Sequence, residues 1–76
     1  MTIQEQNIAK AVGLSVGLFP SEVASLLNDN GVVLDAQNLN SDQLVDAVYT
    51  GLHTSSSFNT QWVEFLKTHS EELSNY

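Results

Sequence analysis

Few residues in this chain are of a type equipped for chemistry, and their spacing limits what they can do. The two histidines, His53 and His69, lie sixteen residues apart with no third ligand at a recognisable spacing, whereas a zinc site draws on several His, Cys or carboxylate ligands. There is no cysteine, which removes thiolate chemistry, disulfides and most structural zinc. His53 therefore reads as a loop residue and His69 as the edge of an apolar helix face. Asp29, Asp35, Asp42 and Asp46, with the fragment Asn28-x-Asn30-Gly31, invite comparison with a calcium loop. An EF-hand register that seats Gly31 at the invariant glycine puts Leu26 and Gln37 at the first and last positions, where carboxylates are needed. These acids read instead as a solvated face. Gly13-Leu14-Ser15-Val16-Gly17 matches the G-x-S-x-G nucleophile elbow, but that motif works as a strained strand-to-helix turn in a much larger α/β-hydrolase. The pattern around it here is helical. No carboxylate pair sits in an apolar setting that would tune it for acid catalysis, and no glycine-rich loop is built to cradle phosphate. We expect no catalytic, cofactor or metal site.

The charge balance narrows the partners. Two lysines, Lys10 and Lys67, face nine acidic residues, for a net charge of −7 and a pI near 4.2. Such a chain repels nucleic acid and anionic lipid, so direct nucleic-acid binding is not expected. Asn, Gln, Ser and Thr make up 26 of 76 residues, yet 42% of the chain is hydrophobic, enough for a globular core. One domain of this size buries only roughly 60–65% of its unfolded surface, so a protein partner or self-association is expected to complete it. The first twenty residues lack the basic start and small-residue cleavage site of a signal peptide. We therefore expect no secretion through a signal peptide.

Four helices are needed to position these residues. The first, over 2–18, ends before Pro20, which disfavours helical backbone at the residue preceding it. Ile8, Val12, Val16 and Phe19 form one stripe and Ala11, Leu14 and Leu18 widen it. Ala9, Gly13 and Gly17 recur at i, i+4 spacing as a small-residue face. That face suits tight packing inside a core, self-association, or a shallow lipid contact; the run is too short to span a bilayer, which needs about 20 residues. The second helix, 21–30, buries Val23, Leu26 and Leu27 and stops at Gly31, with Leu27 and Val32 placed as the apolar pair of a Schellman motif. Val32, Val33 and Leu34 have no partner strand and read as an extended link packed over the helices. Asn40 is the expected N-cap of the third helix, 41–52, with Gln43 at N3 and Leu39 stapled onto Leu44. That helix buries Leu44, Ala47, Val48 and Leu52, and Gly51 frays or stops it. Residues 53–57 (HTSSS) read as a loop. The fourth helix, 58–73, aligns Phe58, Trp62, Phe65, Leu66, His69 and Leu73 on one face, and 74–76 form a loose tail. Phe58, Trp62 and Phe65 serve either as core or as an aromatic docking surface.

The helix, glycine stop, extended link and helix of residues 21–52 resemble the helix-extension-helix motifs of the SAP and LEM-like families. The resemblance covers 32 of 76 residues and is one of architecture. Some members of those families bind DNA through lysines and arginines; here residues 11–66 contain neither, so the resemblance implies a protein-binding version. In composition the chain also resembles the small accessory proteins of bacteriophages, including minor virion components. The expectation is thus an all-α domain of about four short helices, the first and fourth covering a helix-extension-helix centre. Its expected role is that of a non-enzymatic structural or interaction protein that docks on itself or a larger protein through Ala9, Gly13 and Gly17 or through Phe58, Trp62 and Phe65. The alternative is an acidic regulator that covers a partner's basic surface.

Overall fold

Local signals set most of the helix boundaries. The structure, a computed structural model, describes residues 3–74; Thr2 and the expected tail residues Asn75 and Tyr76 lie outside them. The elements are α1 (Ile3–Leu18), α2 (Pro20–Asp29), a 3₁₀ turn (Ala36–Asn38), α3 (Ser41–Thr54), α4 (Ser56–Thr68) and α5 (Ser70–Ser74). The fold is all-α, with no strand among the described residues. Pro20 opens α2 at its first position, where its missing N–H costs nothing. At the other end Gly31 takes φ 68°. The Val32 amide reaches Leu27 O at 3.0 Å and the Gly31 amide reaches Asn28 O at 3.1 Å, the two bonds of a Schellman stop. Ahead of α3 the Gln43 amide donates to Asn40 Oδ1 at 2.9 Å and the Asn40 amide to Gln43 Oε1 at 3.0 Å, a complete capping box.

α3 is the central element, packed against α1, α2 and α4. The buried core is Val12 and Val16 of α1, Val23, Ala24 and Leu27 of α2, Ala36 of the 3₁₀ turn, Leu44, Ala47 and Val48 of α3, and Phe58, Trp62 and Phe65 of α4. The three α4 aromatics stack in series, Phe58 on Trp62 at 5.9 Å and Trp62 on Phe65 at 5.3 Å between centroids, and Phe19 meets Phe65 edge-on at 5.9 Å.

Four expectations need correction. The connector is not simply an extended link over the helices. Val32 and Val33 are half-buried, but Leu34 points into solvent, and the chain then winds into the 3₁₀ turn that buries Ala36. Asn28 holds it there: its Oδ1 accepts the Ala36 amide at 2.9 Å and its Nδ2 donates to Gln37 Oε1. Gly51 neither frays nor stops α3; it is buried inside the helix with the Phe58 ring laid on it. Residues 53–57 are not a loop. Ser55 alone joins the helices, its amide closing α3 on Gly51 O at 2.9 Å while its Oγ caps α4 by accepting the Phe58 amide at 3.1 Å. Asn59 adds a tie by donating to the Ser55 carbonyl at 3.1 Å and to the Leu52 carbonyl at 2.6 Å, the latter an acceptor in the last turn of α3.

The fourth correction concerns the last helix, which breaks at His69 (φ −105°, ψ 20°). The imidazole is drawn toward α2, where Nε2 lies 2.6 Å from Glu22 Oε2 and the ring stacks 4.1 Å from Phe19. Helical structure resumes in α5, with Glu71 and Glu72 in its first turn beside the positive end of the helix dipole.

Candidate interaction surface

The residues that raised chemical possibilities are committed to structure. Ser15 lies mid-helix in α1, fully buried, and its Oγ has no hydrogen-bond partner; the strand-to-helix turn of a nucleophile elbow is absent there. An unpaired buried hydroxyl costs its desolvation without return. Ser15→Ala should therefore raise the unfolding free energy by about 1 kcal/mol, read as a higher urea midpoint at unchanged slope. Asn30, next to the rejected calcium register, fastens α2 to α4: its Nδ2 donates to Leu26 O at 2.8 Å and Gln61 Oε1 at 3.0 Å, and its Oδ1 accepts from Ser57 Oγ at 2.7 Å. His53 is exposed on the last turn of α3, and His69 is half-buried against Phe19, Phe65 and Glu22. Among the described residues no group of three or more His, Asp or Glu is arranged to hold a metal.

The two predicted docking faces fare differently. Phe58, Trp62 and Phe65 point inward and form the aromatic centre of the core, so in this fold they are not offered as an exposed face. Gly13 and Gly17 are the reverse case. Both are exposed, and a Cβ built on either meets nothing within 4 Å. The expectation that they permit tight packing within the core is overturned: α1 turns Val12, Ser15 and Val16 inward and leaves the glycines outside. Ala9, half-buried, sits at the border of that outer face.

Where α1, α3 and α4 converge, they leave an open groove of about 740 Å³. Ile8 of α1, Tyr49, Leu52 and His53 of α3, and Val63 and Leu66 of α4 form most of its wall, with Ala9 at one edge. Ile8 and Val63, 43% and 48% exposed, are two of the four large apolar side chains left in solvent among the described residues. Among the described residues no carboxylate lines the groove. Both lysines stand near it: Lys10 shares an α1 face with Asn7 by helical register, and Lys67 stands one turn beyond Val63. Asp46, three residues before Tyr49, is the acid nearest the α3 side by the same register. The outward Val63, beside the inward Trp62, was the one sequence signal for this surface; the groove itself exists only where three helices meet.

On the opposite side, a shallower notch of about 330 Å³ separates α2 from α4, with Glu22 and Glu64 on its walls and Leu26 and Phe65 between them. No single described helix is long and apolar enough to cross a membrane; α1 from Asn7 and α2 pass a length-and-composition test only as a pair bent by 108°. No protein-family model, curated protein or solved structure matches this chain.

Proposed function

We propose that this chain is a non-enzymatic structural or protein-interaction module, of the kind used as a minor virion or assembly component, which docks on copies of itself through the α1–α3–α4 groove. The observation that carries the reading is the groove's composition: an apolar concavity, lined by no carboxylate among the described residues, on a chain of charge −7. Two copies approaching by their acidic faces repel one another, whereas this surface adds apolar burial without that repulsion. Ala9 continues the groove toward Gly13 and Gly17, where a neighbouring backbone can come close. The absence of Lys and Arg from residues 11–66 fits a protein-binding rather than DNA-binding helix-extension-helix unit. The test is the absolute mass in solution by light scattering over a hundredfold concentration range at low and high salt. Mass climbing to multiples of 8.3 kDa and persisting in high salt supports apolar self-association; a monomer under every condition contradicts it.

The glycines supply a second handle. Gly13→Ala and Gly17→Ala should each stabilise the folded chain by about 0.5–1 kcal/mol, because alanine removes the entropic penalty of glycine in a helix and meets no clash. Thermal melting checks this. A variant carrying both substitutions should associate less well if a neighbour closes on that face.

One observation favours the alternative reading of an acidic regulator. The Glu22 and Glu64 walls of the α2–α4 notch flank an apolar floor of Leu26 and Phe65, a shape suited to a lysine or arginine side chain of a basic partner. Such binding would weaken steeply with added salt, and groove docking would not.

A further inference from the structure

Leu34 is the least explained side chain in the fold. It is 99% exposed, beyond any other large apolar side chain among the described residues, yet its backbone is not slack. On one side the Schellman bonds fix Gly31 and Val32, and on the other Asn28 grips Ala36. The connector thus presents one leucine on a fixed support, so a partner that buries it orders little new chain. Asp35 adjoins it in sequence and is also exposed, as is Asp29 at the end of α2. This is an apolar knob with a carboxylate next to it in the chain. The groove has the inverse character, an apolar concavity lined by no carboxylate among the described residues, with Lys10 and Lys67 alongside.

We propose that the occupant of the groove is the Leu34 knob of a second copy of this chain, its Asp35 facing the Lys10 and Lys67 side of the receiving copy. The inference rests on the self-association reading above and deepens it by naming both halves of the contact. Knob and groove are separate patches: the connector precedes α3, whereas the groove lies along the second half of that helix. The contact is therefore heterologous, each copy giving its knob to one neighbour and its groove to another, and it propagates into a ring or an open chain according to the rotation between copies. Apolar insertion supplies the attraction, and the opposed charges set orientation and speed encounter.

The test uses two surface variants. Leu34→Asp removes the knob at a position with no packing to lose, and Val63→Glu blocks the groove at a half-exposed position; circular dichroism confirms that each remains helical. At concentrations where the unaltered chain forms larger species, each variant alone should remain at 8.3 kDa. An equimolar mixture should form a dimer of twice 8.3 kDa and stop there, because one intact knob meets one intact groove and nothing remains to extend the chain. If Leu34→Asp assembles like the parent while Val63→Glu does not, the groove has another occupant and the knob proposal falls, with self-association intact. If the mixture stays monomeric while the parent associates, the head-to-tail contact is refuted. A parent that is monomeric throughout removes both this inference and the reading beneath it.

Discussion

Phe58→Ala should leave the chain largely unfolded or poised at the edge of unfolding at 25 °C. Phe58 is fully buried, stacks on Trp62 and lies across Gly51, so it joins the α4 aromatic series to the α3 backbone. Deleting a buried phenylalanine costs about 3–5 kcal/mol, the lost transfer energy plus the cavity left behind. A 76-residue domain has roughly 4–11 kcal/mol in total at typical values per residue. The loss is therefore comparable to the whole stability. Urea denaturation followed by the fluorescence of Trp62, the sole tryptophan, should show the midpoint falling toward zero denaturant. A variant that kept most of the parental midpoint would mean that this ring does not organise the core.

Gly51→Ala should destabilise, against the helix propensity of alanine. Inside a helix this exchange ordinarily gains about 1 kcal/mol. Here the added methyl carbon would sit 2.7 Å from Phe58 Cδ2 and 3.0 Å from its Cε2, and the ring is enclosed by the core. Overpacking of this kind costs about 1–3 kcal/mol, enough to reverse the sign. Its melting temperature should drop, while that of Gly13→Ala or Gly17→Ala rises, because those glycines face open space. Pairing Gly51→Ala with Phe58→Leu in a double-mutant cycle isolates the contact: the alanine should cost less once the ring has gone.

These predictions mark where the sequence was informative. End signals written in consecutive residues were legible. Asn40 with Gln43, and Leu27 with Gly31 and Val32, act within one turn of backbone and need no tertiary partner to work. The all-α class followed, because the apolar spacing and the lack of a strand partner are also local properties. Gly51 was read as a weak point for the same reason; only the approach of Phe58 from the next helix gives it a purpose. Residues 53–57 have loop composition, but Ser55 uses its hydroxyl as a cap, so a serine cluster became a joint of one residue. His69 continues the α4 pattern in sequence and breaks the helix in space, because Glu22 and Phe19 hold its ring from another element.

The interaction surface was less legible. Periodicity identified Phe58, Trp62 and Phe65 as one face, but a single helix cannot say whether such a face turns inward or outward. Ala9, Gly13 and Gly17 were recognised as a small-residue stripe, yet their exposure depends on which side of α1 the other helices cover. Leu34 looked like packing material, since it ends an apolar run with Val32 and Val33 and nothing in that run marks which member is exposed. The groove required the mutual placement of α1, α3 and α4.

The most direct test of self-docking through the groove is residue-level NMR of the labelled chain as its concentration rises. The account predicts progressive shifts or broadening at Ile8, Tyr49, Leu52, His53, Val63 and Leu66, together with the amides around Leu34, while Glu22, Leu26 and Glu64 stay fixed. Spectra that do not change with concentration, or changes confined to the α2–α4 notch, would contradict it.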